Sequence, residues 1–176
     1  SRVPPVIDNN TKALELNTGK TIALIGGDIF LEGGSLKTNS GSIELSSVGS
    51  GEVNFSFTPH LEFNYDRVKF FQDIQLSQQS SVQGNSLYTN QIIENEMNNV
   101  ASIQLKANRI SLQDGSTILV NNRGNLPAQQ IKIDATQSLR IIGTNLTEIQ
   151  TSSIQSQAFS NAKGGDINIS TQQLVV

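Results

Sequence analysis

The feature that most constrains this chain is a short unit that keeps returning: an aliphatic residue, one outward residue, a second aliphatic, and a polar turn. A Ser or Thr then comes just before another aliphatic. The unit reads Ile29-Phe30-Leu31 with Ser35 and Leu36, then Ile74-Gln75-Leu76 with Ser81 and Val82, then Ile110-Ser111-Leu112 with Ser116 and Ile118. A looser fourth copy is Leu139-Arg140-Ile141, followed by Thr147 and Ile149. A companion triplet reads Ile43-Glu44-Leu45, Ile103-Gln104-Leu105, Ile131-Lys132-Ile133 and Ile167-Asn168-Ile169. In its last three copies a further aliphatic pair follows, at Ile110/Leu112, Leu139/Ile141 and Leu174/Val176. Each triplet sends two side chains to one face and one to the other, which is the period of a half-buried strand.

Such triplets are too short to persist as isolated hairpins. Coiling the chain and stacking the coils buries them, because inward Ile and Leu then pile into columns and successive coils pair as parallel strands. The expected fold is therefore all-β, a right-handed parallel β-helix, with residues 1–176 as a single domain in which 1–18 are a lead-in and 19–176 the coils. Ile29, Leu31, Ile43, Leu45, Ile74, Leu76, Ile103, Leu105, Ile110, Leu112, Ile131, Ile133, Ile167 and Ile169 should point inward. Phe30, Glu44, Gln75, Gln104, Ser111, Lys132 and Asn168 should point out. Glycine pairs at Gly26-Gly27, Gly33-Gly34 and Gly164-Gly165 suit sharp corners.

Composition narrows the class. Of the 176 residues none is cysteine or tryptophan, so burial and backbone pairing must hold the fold without disulfides. The β-branched aliphatics and the abundant Ser, Thr, Asn and Gln fit a pleated surface with polar turns. The net charge is -3 and is spread without blocks, which gives no basic surface for nucleic acid. No apolar run approaches a membrane span. The start, Ser1-Arg2-Val3-Pro4-Pro5, is neither an initiator Met nor a signal peptide, and the end is an apolar strand, so a fragment of a longer chain is expected.

Two stretches break the rhythm. Residues 54–71 hold six of the nine aromatics, Phe55, Phe57, Phe63, Tyr65, Phe70 and Phe71, and their alternation predicts a hairpin turning at Pro59-His60. Residues 84–102 are polar and read as a second insertion, either a helical turn or a protruding loop.

Gly19-Lys20-Thr21-Ile22-Ala23-Leu24-Ile25-Gly26-Gly27-Asp28-Ile29 resembles the filamentous haemagglutinin-type exoproteins of two-partner secretion systems. So do Gly41-Ser42-Ile43-Glu44-Leu45, Phe71-Gln72-Asp73-Ile74-Gln75-Leu76-Ser77 and Leu112-Gln113-Asp114-Gly115-Ser116. The likeness is to the cyanobacterial branch. It covers most of residues 19–142 and, more loosely, Gly164-Gly165-Asp166-Ile167 onward. The resemblance implies a right-handed β-helix, export through a dedicated outer-membrane transporter, and a place outside the cell or on its surface in a large adhesin-like exoprotein. The lack of cysteine agrees with threading through such a pore.

Catalytic, cofactor-binding and metal residues are all expected to be absent. The acids Asp28, Asp73 and Asp166 recur just before a repeat strand, Arg109 takes the same place before Ile110, and a residue that follows the repeat is more simply a turn cap. Asp8, Asp66, Asp114 and Asp134 form no evident constellation, and His60 is the one histidine, too few for a histidine metal site. A carbohydrate-active β-helix enzyme stays the alternative, and a trimeric tail-spike module a third. The chain itself is expected to be a monomer. Its candidate contact residues for a surface glycan or protein are Phe55, Phe57, Phe63 and Tyr65; a satellite core under the hairpin is the competing reading.

Overall fold

The computed structural model describes residues 13–57, 61–86, 101–123, 130–143, 151–159 and 161–176. These form thirteen strands and, among the described residues, no helix. In chain order they are β1 (Leu14–Glu15), β2 (Ile22–Gly26), β3 (Ile29–Glu32), β4 (Ser35–Asn39) and β5 (Ser42–Ser56). Next come β6 (Glu62–Phe71), β7 (Asp73–Ser77), β8 (Ser81–Ser86) and β9 (Ser102–Leu112). The last four are β10 (Thr117–Asn122), β11 (Ile131–Ile141), β12 (Ser153–Ala158) and β13 (Ile167–Val175).

Two open sheets organise them. One runs β1-β4-β8-β10-β12, and the other runs β13-β11-β9-β5-β2 with β3 and β7 joined to it. Every pairing is parallel except that of β5 with β6. The registers align the triplets: Ile22, Ile43, Ile103, Ile131 and Ile167 are successive partners, as are Ile29, Ile74, Ile110 and Leu139. The other sheet stacks Leu14, Leu36, Val82, Ile118 and Ile154. Thr147 and Ile149 lie outside the described residues, and Ile154 takes the position opposite Ile118. Aliphatic residues of both sheets meet in one core, from Ile22 and Leu36 to Ile133 and Leu139.

The long strand β9 spans two separate ones. Its first half pairs with β5 and its second half with β7. Between those two partners the chain leaves as the second half of β5 and returns as β6, an antiparallel ribbon whose pairing runs from Val48↔Phe71 to Ser56↔Glu62. The hairpin therefore begins near residue 48, earlier than its aromatic residues suggest. Its turn at Pro59-His60 lies outside the described residues, as does most of the insertion expected at 84–102; residues 84–86 belong to β8 and Ser102 opens β9.

The serines before the third aliphatic have a role. The Ser81 hydroxyl donates to that of Ser35 across the ladder at 2.9 Å. At the corner, Ser80 Oγ accepts from Gly34 N–H at 3.2 Å and donates to the carbonyls of Leu31 or Ser77. The corner turns in the left-handed region at Gly33, at Gln78 and Gln79, and at Asp114 and Gly115. Of the three glycine pairs expected at corners, only Gly33 has a positive φ.

The expected inward set is buried from Ile43 to Ile133, and Ile29 and Leu31 are partly buried. Ile167 and Ile169 are not: each is 40% exposed, because β13 has β11 on one side and no described strand on the other. Among the outward set, Glu44 departs from expectation. It is only 7% exposed, although it lies on the same face as Ser46, away from Ile43 and Leu45. The ribbon folds back over it.

Candidate functional site

The ribbon owes its geometry to two glycines. Gly51 has φ +125°, and a Cβ there would run into the backbone of Arg67 and Val68. A Cβ at Gly49 would meet the Phe70 ring. Glycine at both positions lets the arms close and lets Phe70 lie across the backbone.

The four candidate aromatics divide into two groups. Phe55 and Phe57 are 61% and 70% exposed and touch edge to face, with centroids 5.4 Å apart. Phe63 is the cross-strand partner of Phe55, and its ring lies 6.5 Å away. These three rings make one patch on the outer part of the ribbon. Tyr65 belongs elsewhere: its ring sits 6.0 Å from that of Phe71, and its hydroxyl donates to Glu44 Oε1 at 2.6 Å. Ser46 Oγ lies 2.7 Å from both the Glu44 oxygen and the Tyr65 hydroxyl, so its single proton serves one of them at a time. The Lys106 ammonium lies over the Tyr65 and Phe71 rings at 5.5 and 5.4 Å, within cation–π range. Lys106 and Lys132 both approach Asp134, at 3.7 and 3.5 Å.

Burial pushes the Glu44 carboxyl above its ordinary value, and its bonds from Tyr65 and Ser46 and the charges of Lys106 and Lys132 offset only part of that. The Tyr65 hydroxyl is pushed upward too, first by burial and then by its bond to Glu44. Tyr65 thus works as a latch that ties the ribbon to the parallel ladder. A shallow cleft of ≈ 310 Å³ lies beside it, bordered by Glu44, Glu62, Phe63, Gln104 and Lys132.

Two of the three recurring acids, Asp28 and Asp73, act on backbone through their carboxylates. Asp28 Oδ1 accepts from Asp73 N–H at 3.0 Å, and Asp73 Oδ1 accepts from Arg109 N–H at 3.1 Å. Each carboxylate therefore caps the next strand in the stack. Asp66 holds Asn64 within the ribbon, and Asp134 pairs with the two lysines. Among the described residues no three His, Cys, Asp or Glu side chains converge as a metal site would require. Asp8 and His60 lie outside the described residues.

Sequence reasoning missed the latch. Its signal was a glutamate in the outward slot of a strand, followed by Ser46 on the same face, with lysines at the outward positions of the neighbouring strands. The observed class is an all-β protein of open parallel sheets with one antiparallel aromatic ribbon. No protein-family model, curated protein or solved structure matches the chain.

Proposed function

We propose that the chain is a right-handed parallel β-helix segment of a large, secreted or surface-displayed, adhesin-like exoprotein, exported by a two-partner outer-membrane transporter. The observation that carries the fold is the regular advance of the registers. Ile43, Ile103 and Ile131 stack in one column, Ile74, Ile110 and Leu139 in a second, and Val82 and Ile118 in a third, always between parallel strands far apart in sequence. A chain that visits three columns in the same order on each pass is winding, and parallel crossovers are right-handed in nearly all proteins. The export route rests on the resemblance of residues 19–142 to two-partner exoproteins and on the lack of cysteine.

The role is mechanical, a stiff exported stalk, rather than catalytic. Asp28 and Asp73, the best-placed acids, bond to backbone N–H groups of the next strand, which supports a structural part for them over a carbohydrate-cleaving one. The ribbon patch of Phe55, Phe57 and Phe63 offers the contact surface for a protein or glycan partner, with Tyr65 as its anchor.

Export is the test. Behind a periplasmic signal in a Gram-negative host, the chain should reach the medium when a two-partner transporter is co-expressed and stay in the periplasm when it is not. Retention across a panel of such transporters would overturn the reading.

A further inference from the structure

A second surface lies away from the ribbon, along the column of β3, β7, β9 and β11. Phe30, Gln75, Ser111 and Arg140 are successive register partners. They form a straight row of outward side chains that advances ~4.8 Å per strand, or ~14 Å from Phe30 to Arg140. A cleft of ≈ 370 Å³ runs along the row, with Asp28, Asp73 and Arg109 on its rim. That volume falls in the ~300–1,000 Å³ range of small-ligand clefts.

The rim charges are engaged with one another and with the backbone. Asp28 and Asp73 cap strands as described above. Arg109 donates from Nε to Gln137 Oε1 at 2.6 Å and lies 3.7 Å from Asp73. The row itself is uncommitted at both ends. The Phe30 ring is 58% exposed and has no ring partner among the described residues. Arg140 is exposed, and its guanidinium makes no ion pair with any described residue. The groove is thus apolar and acid-rimmed at one end, amide- and hydroxyl-lined in the middle, and cationic at the other.

We propose that this row binds an acidic oligosaccharide, about three sugar rings long, lying along the stacking direction. The apolar C–H face of an uncharged ring packs on Phe30, as an exposed aromatic permits. Gln75 and Ser111 exchange hydrogen bonds with ring hydroxyls. The carboxylate or sulfate of the last ring meets the planar donor fork of Arg140. Asp28, two residues from Phe30 and in no ion pair with a described residue, repels an anion from the Phe30 end, which fixes the direction in which the sugar lies. The inference goes beyond the export reading and does not depend on it, because the purified chain suffices to test it.

The test is calorimetric titration with two trisaccharides acidic at one terminal ring only, a neutral disaccharide extended by a single glucuronate and one extended by a single galactose 6-sulfate, and with neutral maltotriose. At least one acidic trimer should bind tenfold or more tightly than maltotriose, and the tighter of the two identifies carboxylate or sulfate as the group read. Arg140→Gln should erase that preference, and Phe30→Ser should weaken acidic and neutral sugars alike. Phe57→Ser, on the ribbon, should change nothing. Circular dichroism checks that each variant is folded; Arg140→Lys, which keeps the charge but loses the fork, should narrow the preference if Arg140→Gln misfolds. No binding of either acidic trimer at millimolar sugar, or equal preference in the folded Arg140 variant, would overturn the proposal.

Discussion

Strands β11 and β13 carry almost the same pattern, Ile131-Lys132-Ile133 and Ile167-Asn168-Ile169, and pair with each other residue for residue. Ile131 and Ile133 are fully buried, whereas Ile167 and Ile169 are 40% exposed. The strands differ in their neighbours: β11 lies between β9 and β13, while β13 has β11 alone among the described strands. In a stack of this kind an inward residue is covered as much by the strands above and below as by the opposite sheet. Alternation within a strand sets which face a side chain takes. The neighbours decide whether that face is dry.

The largest test of this difference is truncation in each strand. Ile133→Ala, and Leu105→Ala one strand further in, should each cost about 2–5 kcal/mol in urea unfolding, since each leaves a cavity in a covered column. Ile169→Ala should cost under about 1.5 kcal/mol, because much of its surface is already wet. Equal losses at Ile133 and Ile169 would break the argument.

Glu44 sharpens the comparison from the outer face, where a cover comes from the ribbon instead of the stack. Tyr65→Phe removes one of the two hydroxyls that reach this buried carboxyl, the other being that of Ser46, and should cost about 1–3 kcal/mol. The pH dependence has a defined sign. The Glu44 carboxyl is raised in the fold, so as pH climbs past its ordinary value of 4.5 the unfolded chain gives up the proton before the folded one does. This group's contribution to stability is therefore greatest below that pH and falls as pH rises through the raised value. Glu44→Gln should remove that decline, visible as a wild-type-minus-variant difference in urea midpoint that changes with pH. A constant difference would mean that the ribbon does not dehydrate Glu44. The smallest effect belongs to Phe57→Ser: at 70% exposure it should shift stability by no more than about 0.5 kcal/mol.

The columns were legible because period-2 alternation is local: Ile43, Leu45, Ile103 and Leu105 each announce their face from adjacent residues. Three things were not local. Ile167 and Ile169 show the same alternation, but their exposure is set by a neighbouring strand. Glu44 reads as an outward residue and is one, yet a ribbon twenty residues further along the chain covers it (Tyr65 lies at |i−j| = 21). The ribbon's first residues, from Val48 through Gly51, carry no aromatic, so its beginning was hidden behind a Ser- and Gly-rich stretch. The candidate contact residues were legible as a group of rings, but not their division, because nothing in Phe63-Asn64-Tyr65 says that the tyrosine alone finds a buried carboxylate.

The interrupted pairing of β9 has a further consequence. The chain departs from the ladder after Ser47 and rejoins it at Gln72, where Gln72 N–H donates to the Ser47 carbonyl at 2.9 Å. Exit and re-entry are thus stitched together by one backbone bond, on a strand that bridges the gap regardless of what leaves through it. The loop-closure entropy of an excursion from that point rises only slowly with its length, by about 0.6 kcal/mol per doubling. Residues 48–71 consequently form an interchangeable cassette: a different ribbon, or a foreign epitope, can be grafted between Ser47 and Gln72 while the scaffold keeps its columns, provided that the graft supplies a polar group for Glu44.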